Sequence, residues 1–262
     1  MHRPPAVRPA RAPVLVAAVL LPAVTACSGI APGPAASPAP TPPPSAQSPA
    51  TLPTPATAPT LTAAQARAAL ITEADLGEPW QPTRGAATWR DQRLKATTEG
   101  RDCRRLLDVL YTEDLFGAAP APRATVGLDD TTEETQLHYR VTAHRAADVD
   151  RALAWLRALP DRCGRFPART AEGDAQDVRV TGLDLPEAGD ARAALRVTLR
   201  GPAAGVESAV LTVVLAAARV GDDAISLTYG GLGEVWDDVA WTAVEVGARR
   251  LAEVRRQGRA LV

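Results

Sequence analysis

The chain is 262 residues long and nearly neutral, with 29 basic against 30 acidic side chains and a net charge of −1. With no block of Lys or Arg, nucleic acid finds no electrostatic foothold, so no nucleic-acid partner is expected. Lys95 is the single lysine among the 29 basic residues. That skew, with abundant Ala, is what a GC-rich genome such as an actinobacterium's produces, and it does not by itself signal arginine chemistry.

Arg3, Arg8 and Arg11 precede the apolar run from Val14 to Val24, and Val24-Thr25-Ala26-Cys27 closes it. Charge, then grease, then small residues is the order of a secretory signal peptide, here residues 1–26. The run is interrupted by Pro22 and falls well short of the roughly 20 residues that span a bilayer. A plain secreted chain with a chance cysteine is the alternative reading. The closing tetrapeptide resembles the lipobox of bacterial lipoproteins. That resemblance implies that Cys27 receives a diacylglycerol thioether and anchors the chain to the extracytoplasmic face of the cell membrane. Two acyl chains hold stably where one holds marginally.

Residues 28–60 contain eleven prolines and no charged side chain. Such a segment cannot bury a core and is expected to be an extended tether, reaching roughly 100 Å at about 3.1 Å per residue. Residues 61–262 are long enough for one domain with a sizeable core. Within it, Leu61-Thr62 caps a short helix over 63–70, and a second helix runs over 100–111 on Leu106, Leu107 and Leu110. Strands are expected at 125–128 and 135–143, the latter alternating Leu137, Tyr139 and Val141 with His138, Arg140 and Thr142. A helix over 146–159 carries Val149, Leu153 and Leu156 and is expected to stop at Pro160. Four further strands follow at 177–181, 194–200, 208–220 and 224–229, and a closing helix covers 236–257. This order predicts an α+β domain of about six mainly antiparallel strands packed with helices.

Chemistry-bearing residues are sparse. Cys103 and Cys163 are an even pair in an exported chain, and a structural disulfide between them would stabilise by about 4 kcal/mol in the chain-entropy model. His138 and His144 share the parity of one strand face, but Arg140 and Thr142 share it too, which reads as a solvated side. Ser208 and Ser226 stand in no G-x-S-x-G setting. The Gly-rich stretch Tyr229-Gly230-Gly231-Leu232-Gly233 leads from strand to helix without a following strand, so it reads as a flexible connection at the rim of a cleft. Asp129, Asp130, Glu133 and Glu134 fall in a hairpin turn and lack calcium-loop spacing. Arg249, Arg250, Arg255, Arg256 and Arg259 read as a helix C-terminus complementing its dipole. No catalytic residue, cofactor or metal site is assigned.

Ala147-Asp148-Val149 opening an amphipathic helix, then Trp155-Leu156 and Asp161-Arg162-Cys163, resembles the extracellular sensor domain of mycobacterial PknH-type receptor kinases and related actinobacterial lipoproteins. Ile71-Thr72-Glu73-Ala74-Asp75-Leu76 and the hairpin Arg219-Val220-Gly221-Asp222 extend the likeness over about residues 61–257. The kinase sensor domains typically carry a second cysteine pair, which this sequence lacks. The resemblance implies an antiparallel sheet with helices and a cleft for an unidentified small-molecule, lipid or glycan ligand, with no catalytic residue to carry over. Two functions follow as expectations. One is a surface binding or sensing module with an apolar pocket. The other is an envelope assembly protein that binds a partner protein through a flat patch near Trp80, Trp89 and Trp236. An envelope hydrolase is the least supported reading.

Overall fold

A computed structural model describes residues 61–117, 123–203 and 206–260. The signal peptide, Cys27 and the Pro-rich tether lie outside the described residues. The elements are α1 (Ala63–Ala68), α2 (Glu73–Leu76), β1 (Trp80–Pro82), a π-helical turn (Arg90–Leu94), β2 (Ala96–Thr97), α3 (Arg101–Thr112), β3 (Arg123–Asp130) and β4 (Thr135–Ala143). There follow α4 (Ala146–Cys163), β5 (Arg165–Thr170), β6 (Ala175–Leu183), β7 (Ala191–Ala203), β8 (Val206–Val220), β9 (Asp223–Leu232) and α5 (Asp237–Ala260). The strands form one sheet in the order β1-β3-β4-β9-β8-β7-β6-β5-β2, antiparallel throughout.

The class is α+β, but the sheet has nine strands, not about six. The additional ones are β1, β2 and β5. β5 buries Phe166, Ala168 and Thr170 in strict alternation, yet Pro167 sits in its middle. The Pro167 carbonyl accepts from Thr98 Oγ1 at 2.6 Å, on the side of the two-residue strand β2. A strand residue's nitrogen points the same way as its carbonyl, so the missing N–H falls on the sparsely paired edge, where proline costs no ladder bond.

α4 does not stop at Pro160; the proline sits inside it and the helix runs to Cys163. Pro160 forfeits one intrahelical bond, but the final turn is fixed otherwise. Cys163 is buried and disulfide-bonded to Cys103 of α3, and the Gly164 carbonyl accepts from Val180 of β6 at 3.0 Å. Around the bridge, Asp102 accepts from Trp155 Nε1 at 3.1 Å and pairs with Arg162 at 3.2 Å, and Arg105 lies over the Trp155 ring.

β8 divides two cores. Leu211, Val213, Leu215 and Ala217 point to the side covered by α3, α4 and the π-turn; Val214, Ala216 and Ala218 point to the side of α1, α2 and α5. On that second side α5 crosses Tyr139 of β4 at Gly247, where any Cβ would collide with the tyrosine hydroxyl. Thr62 caps α1 by a reciprocal bond pair with Gln65. Arg250 of α5 then grips Asp75 of α2 with two nitrogens, at 2.9 and 2.7 Å.

The π-turn places Arg93, 1% exposed, under the far end of the β7–β8 hairpin. Its guanidinium donates to Gln176 Oε1 and to the Leu199 carbonyl at 2.9 Å each, and to the carbonyls of Ala209 and Gly201 at 3.3 Å each and Pro202 at 3.4 Å. Gln176 returns a bond from Nε2 to the Arg93 carbonyl at 2.9 Å. The β7–β8 register shifts between Gly201 and Ala203, beside the carbonyls that the guanidinium reaches. An apolar replacement deprives two buried acceptors, Gln176 Oε1 and the Leu199 carbonyl, of this donor. Arg93→Met is expected to lower unfolding free energy by about 3 kcal/mol, read from urea denaturation; a cost within a few tenths of wild type would refute the assignment.

Candidate functional site

β4 presents Leu137, Tyr139, Val141 and Ala143 to the α5 core, as its alternation predicts. The opposite face, with Gln136, His138, Arg140 and Thr142, is not the solvated side expected. Gln136 and Thr142 are buried, and the His138 and Arg140 side chains are 23% and 14% exposed. The covering group is Glu113, the residue after α3, held in the left-handed region at φ 59°. An L-residue there gives up roughly 1 kcal/mol. Here the strain aims its carboxylate down onto the sheet.

Two guanidinium groups and an imidazole converge on that carboxylate. Arg90, from the π-turn, pairs with Glu113 Oε1 and also donates to the carbonyls of Leu110 and Tyr111 at 3.4 Å each. It therefore caps the α3 C-terminus, where the helix dipole favours positive charge. His138 Nδ1 lies 3.4 Å from Glu113 Oε1, and Arg140 spans Glu113 Oε2 at 4.0 Å and Asp114 Oδ1 at 3.6 Å. The other ring nitrogen of His138 meets Gln136 Oε1 at 2.7 Å. That oxygen already accepts from the Ala87 amide at 3.1 Å, and the Gln136 amide nitrogen donates to Thr83, Gly85 and Asp129. The network therefore fixes the proton on His138 Nε2 when the ring is neutral.

Glu113, His138 and Ser226 line one cavity with Arg140 and Thr228. They do not assemble a nucleophile. His138 Nε2 is bonded to Gln136 and Nδ1 faces Glu113, no hydrogen bond joins His138 to Ser226, and the cavity, about 10 Å³, has room for one water. Burial depresses the His138 pKa, with Glu113 pulling the other way and Arg90 and Arg140 adding to the depression. His144, stacked obliquely against Phe116 at 5.3 Å, is likewise depressed by burial against the pull of Asp148 and Asp114. Among the described residues no three His, Cys, Asp or Glu side chains gather as a metal set.

The remaining sequence candidates disperse. Ser208 is exposed on β8. Tyr229, Gly230 and Gly231 are not a flexible connection but buried β9 positions, where a Cβ on either glycine would come within 2.7 Å of a neighbour. Asp130 accepts from the Thr132 and Glu133 amides and shapes the hairpin turn. Arg250 and Arg255 are not dipole complements at a free helix end but ties to Asp75 and to the buried Asp223. Trp80 and Trp89 are buried, Trp80 tilted against Tyr229 at 5.9 Å, so no patch joins them to the exposed Trp236. One groove of about 510 Å³ lies between the α4 C-terminal half and the β6–β7 turn, lined by Arg157, Pro160, Leu183, Asp190 and Arg192 among others. It is open and mixed in character, unlike an enclosed apolar pocket. Glu113, Arg90 and Arg93 carry no sequence motif; a charged residue just after a helix is their sole trace.

No protein-family model and no curated protein matches the chain. Among solved structures it is similar to the extracellular domain of PknH from Mycobacterium tuberculosis, at 12% identity and a TM-score of 0.45, over 77% of this chain and 100% of that one. A putative uncharacterized protein from Rhizobium leguminosarum is matched at 13% identity and a TM-score of 0.25, over 52% of this chain and 98% of that one. At these scores neither likeness carries an argument about function, and no residue role is transferred.

Both histidines have folded-state pKa values below the ordinary 6.5. The unfolded chain therefore takes up protons that the folded chain refuses, and stability is full above pH 6.5 and lost as pH falls below it. The melting temperature is expected to drop between pH 7.5 and pH 5, and the His138→Gln/His144→Gln double variant to flatten that slope. An unchanged slope in the variant would place the acid sensitivity elsewhere.

Proposed function

We propose that the chain is a membrane-anchored extracytoplasmic lipoprotein whose folded part is a ligand-binding or sensing module of the cell envelope, without catalytic activity of its own. In this reading residues 1–26 are the leader, 27–60 the acylated Cys27 and its tether, and 61–262 the working domain. The observation that carries it is the Cys103–Cys163 bridge. Bridges between α-helices of a domain this size persist in oxidising compartments and are rare in the cytosol, which agrees with a leader over residues 1–26 that is followed by Cys27. No helix among the described residues is long and apolar enough to cross a membrane, so attachment in this scheme falls to the lipid.

A second reading, an envelope assembly protein, draws on the exposure of Leu232, Trp236 and Trp241 at 52%, 67% and 41%. These side chains suit contact with another surface better than capture of a small solute.

Cys27→Ala is expected to shift the protein from the membrane fraction to the culture medium, and the wild-type mature N-terminus to carry diacylglycerol by mass spectrometry. Retention of the variant at wild-type level, or an unmodified Cys27, would overturn the anchoring.

A further inference from the structure

Helices cover the sheet unequally. On the side of α1, α2 and α5, cover extends over β3, β4, β9 and β8 and reaches β7 and β6 only at Ala194 and Leu183. Beyond these the same side of β7, β6 and β5 is exposed or half-buried among the described residues. Alternation decides what stands on it: Arg196, Thr198 and Arg200 from β7; Asp177, Arg179 and Thr181 from β6; Arg165, Pro167 and Arg169 from β5. The register sets Arg165 directly opposite Arg179, Thr198 opposite Arg179, and Arg200 opposite Asp177.

Like charges directly opposite on one sheet face repel, and this face holds five arginines against few acids. Asp177 is taken by Arg165 at 3.0 Å and Asp237, at the start of α5, by Arg196. Arg179 and Arg200 form no ion pair among the described residues. Beside this field runs an apolar rim. Leu232, Trp236 and Trp241 are the exposed large hydrophobics among the described residues, and all lie where β9 passes into α5. Arg196 joins field to rim, donating to the Val235 carbonyl at 3.1 Å, while Trp241 Nε1 donates to the Asp184 carbonyl at 2.9 Å and holds its ring along the margin. Glu234 and Asp238, both exposed, bound the positive field at that margin.

We propose that this arginine-bearing face of β5–β7, with its Trp236 and Trp241 rim, docks on an anionic phospholipid surface. A soluble polyanion would satisfy the arginines but gives Leu232 and two indoles nothing, whereas a headgroup layer takes both kinds of side chain: guanidinium at phosphate, indole at the water–acyl boundary. The proposal rests on the extracytoplasmic reading above for the presence of that surface, and on the fold alone for the face.

The test uses the unacylated chain from residue 28 onward, which retains every residue of both cores, since these run from Leu61 to Val254. Vesicles of phosphatidylglycerol with phosphatidylcholine are compared with phosphatidylcholine alone by flotation. Binding to the anionic vesicles is expected to be about tenfold stronger and to fall steeply with added salt. Arg179→Glu/Arg200→Glu should lose about tenfold and Trp236→Ala should weaken binding, each at an unchanged melting temperature. Arg101→Glu/Arg145→Glu on the opposite side should leave it intact. Equal binding to both vesicle types, none to either, or indifference to the Arg179/Arg200 reversal would overturn the proposal. So would capture of dextran sulfate without vesicle binding, or a dimer in sedimentation that the reversal abolishes. Because the chain is unacylated, failure here leaves the Cys27 anchor standing, and an unmodified Cys27 leaves this result standing.

Discussion

Everything in this domain is arranged around one strand that has no wet side. β8 buries consecutive residues from Leu211 to Ala218, so water must be excluded above and below it. Continuous apolar runs of this kind belong to strands packed on both faces. One long helix therefore crosses on each side, α5 on one and α4 on the other. A helix is only about 10 Å wide, and a nine-stranded sheet is far wider. The two covers are offset in opposite directions from β8, leaving two quadrants without a long helix.

The two quadrants are resolved differently. Over β4 and β9, the end of α3 supplies Glu113, and the space is closed by polar groups facing one another: the Arg90 and Arg140 guanidinium groups and the His138 ring around one carboxylate. Such a cluster gains little net stability, because desolvation offsets most of the attraction. It does fix where α3 ends, which apolar packing of a short turn would specify less sharply. Over β5, β6 and β7 no long helix among the described residues closes the face, and arginines stand on it at alternate positions. Arg93 belongs to a third kind of site: a guanidinium wholly inside, answering backbone carbonyls where the β7–β8 ladder slips.

Much of the fold is legible in the residues. The alternation of Leu137, Tyr139 and Val141 assigns β4 and its inner face. The Val149, Leu153 and Leu156 stripe assigns α4, and the run from Leu211 to Ala218 marks a central strand. The parity of Cys103 and Cys163 in an exported chain suffices to pair them. Strand β5 hides because Pro167 and the absence of β-branched residues before Thr170 look like a loop, and only the sheet edge makes that proline harmless. Pro160 misleads in the opposite direction: a disulfide and a strand contact hold the turn that proline weakens. The site is far less legible. His138 and Arg140 read as solvated because polar alternation cannot report that Glu113, 25 residues earlier, folds over them. The basic field is invisible in composition for a similar reason. Its arginines arrive from three strands, and no stretch of sequence contains more than two of them.

The ties between the first helices and the last one close the domain on itself. α1 packs on β3 as well as on α5, Arg250 joins α5 to Asp75 of α2, and Arg255 joins it to Asp223 of β9. The beginning of the described domain is thus clasped between sheet and closing helix, so that loosening either α1 or α5 would open the core the two share.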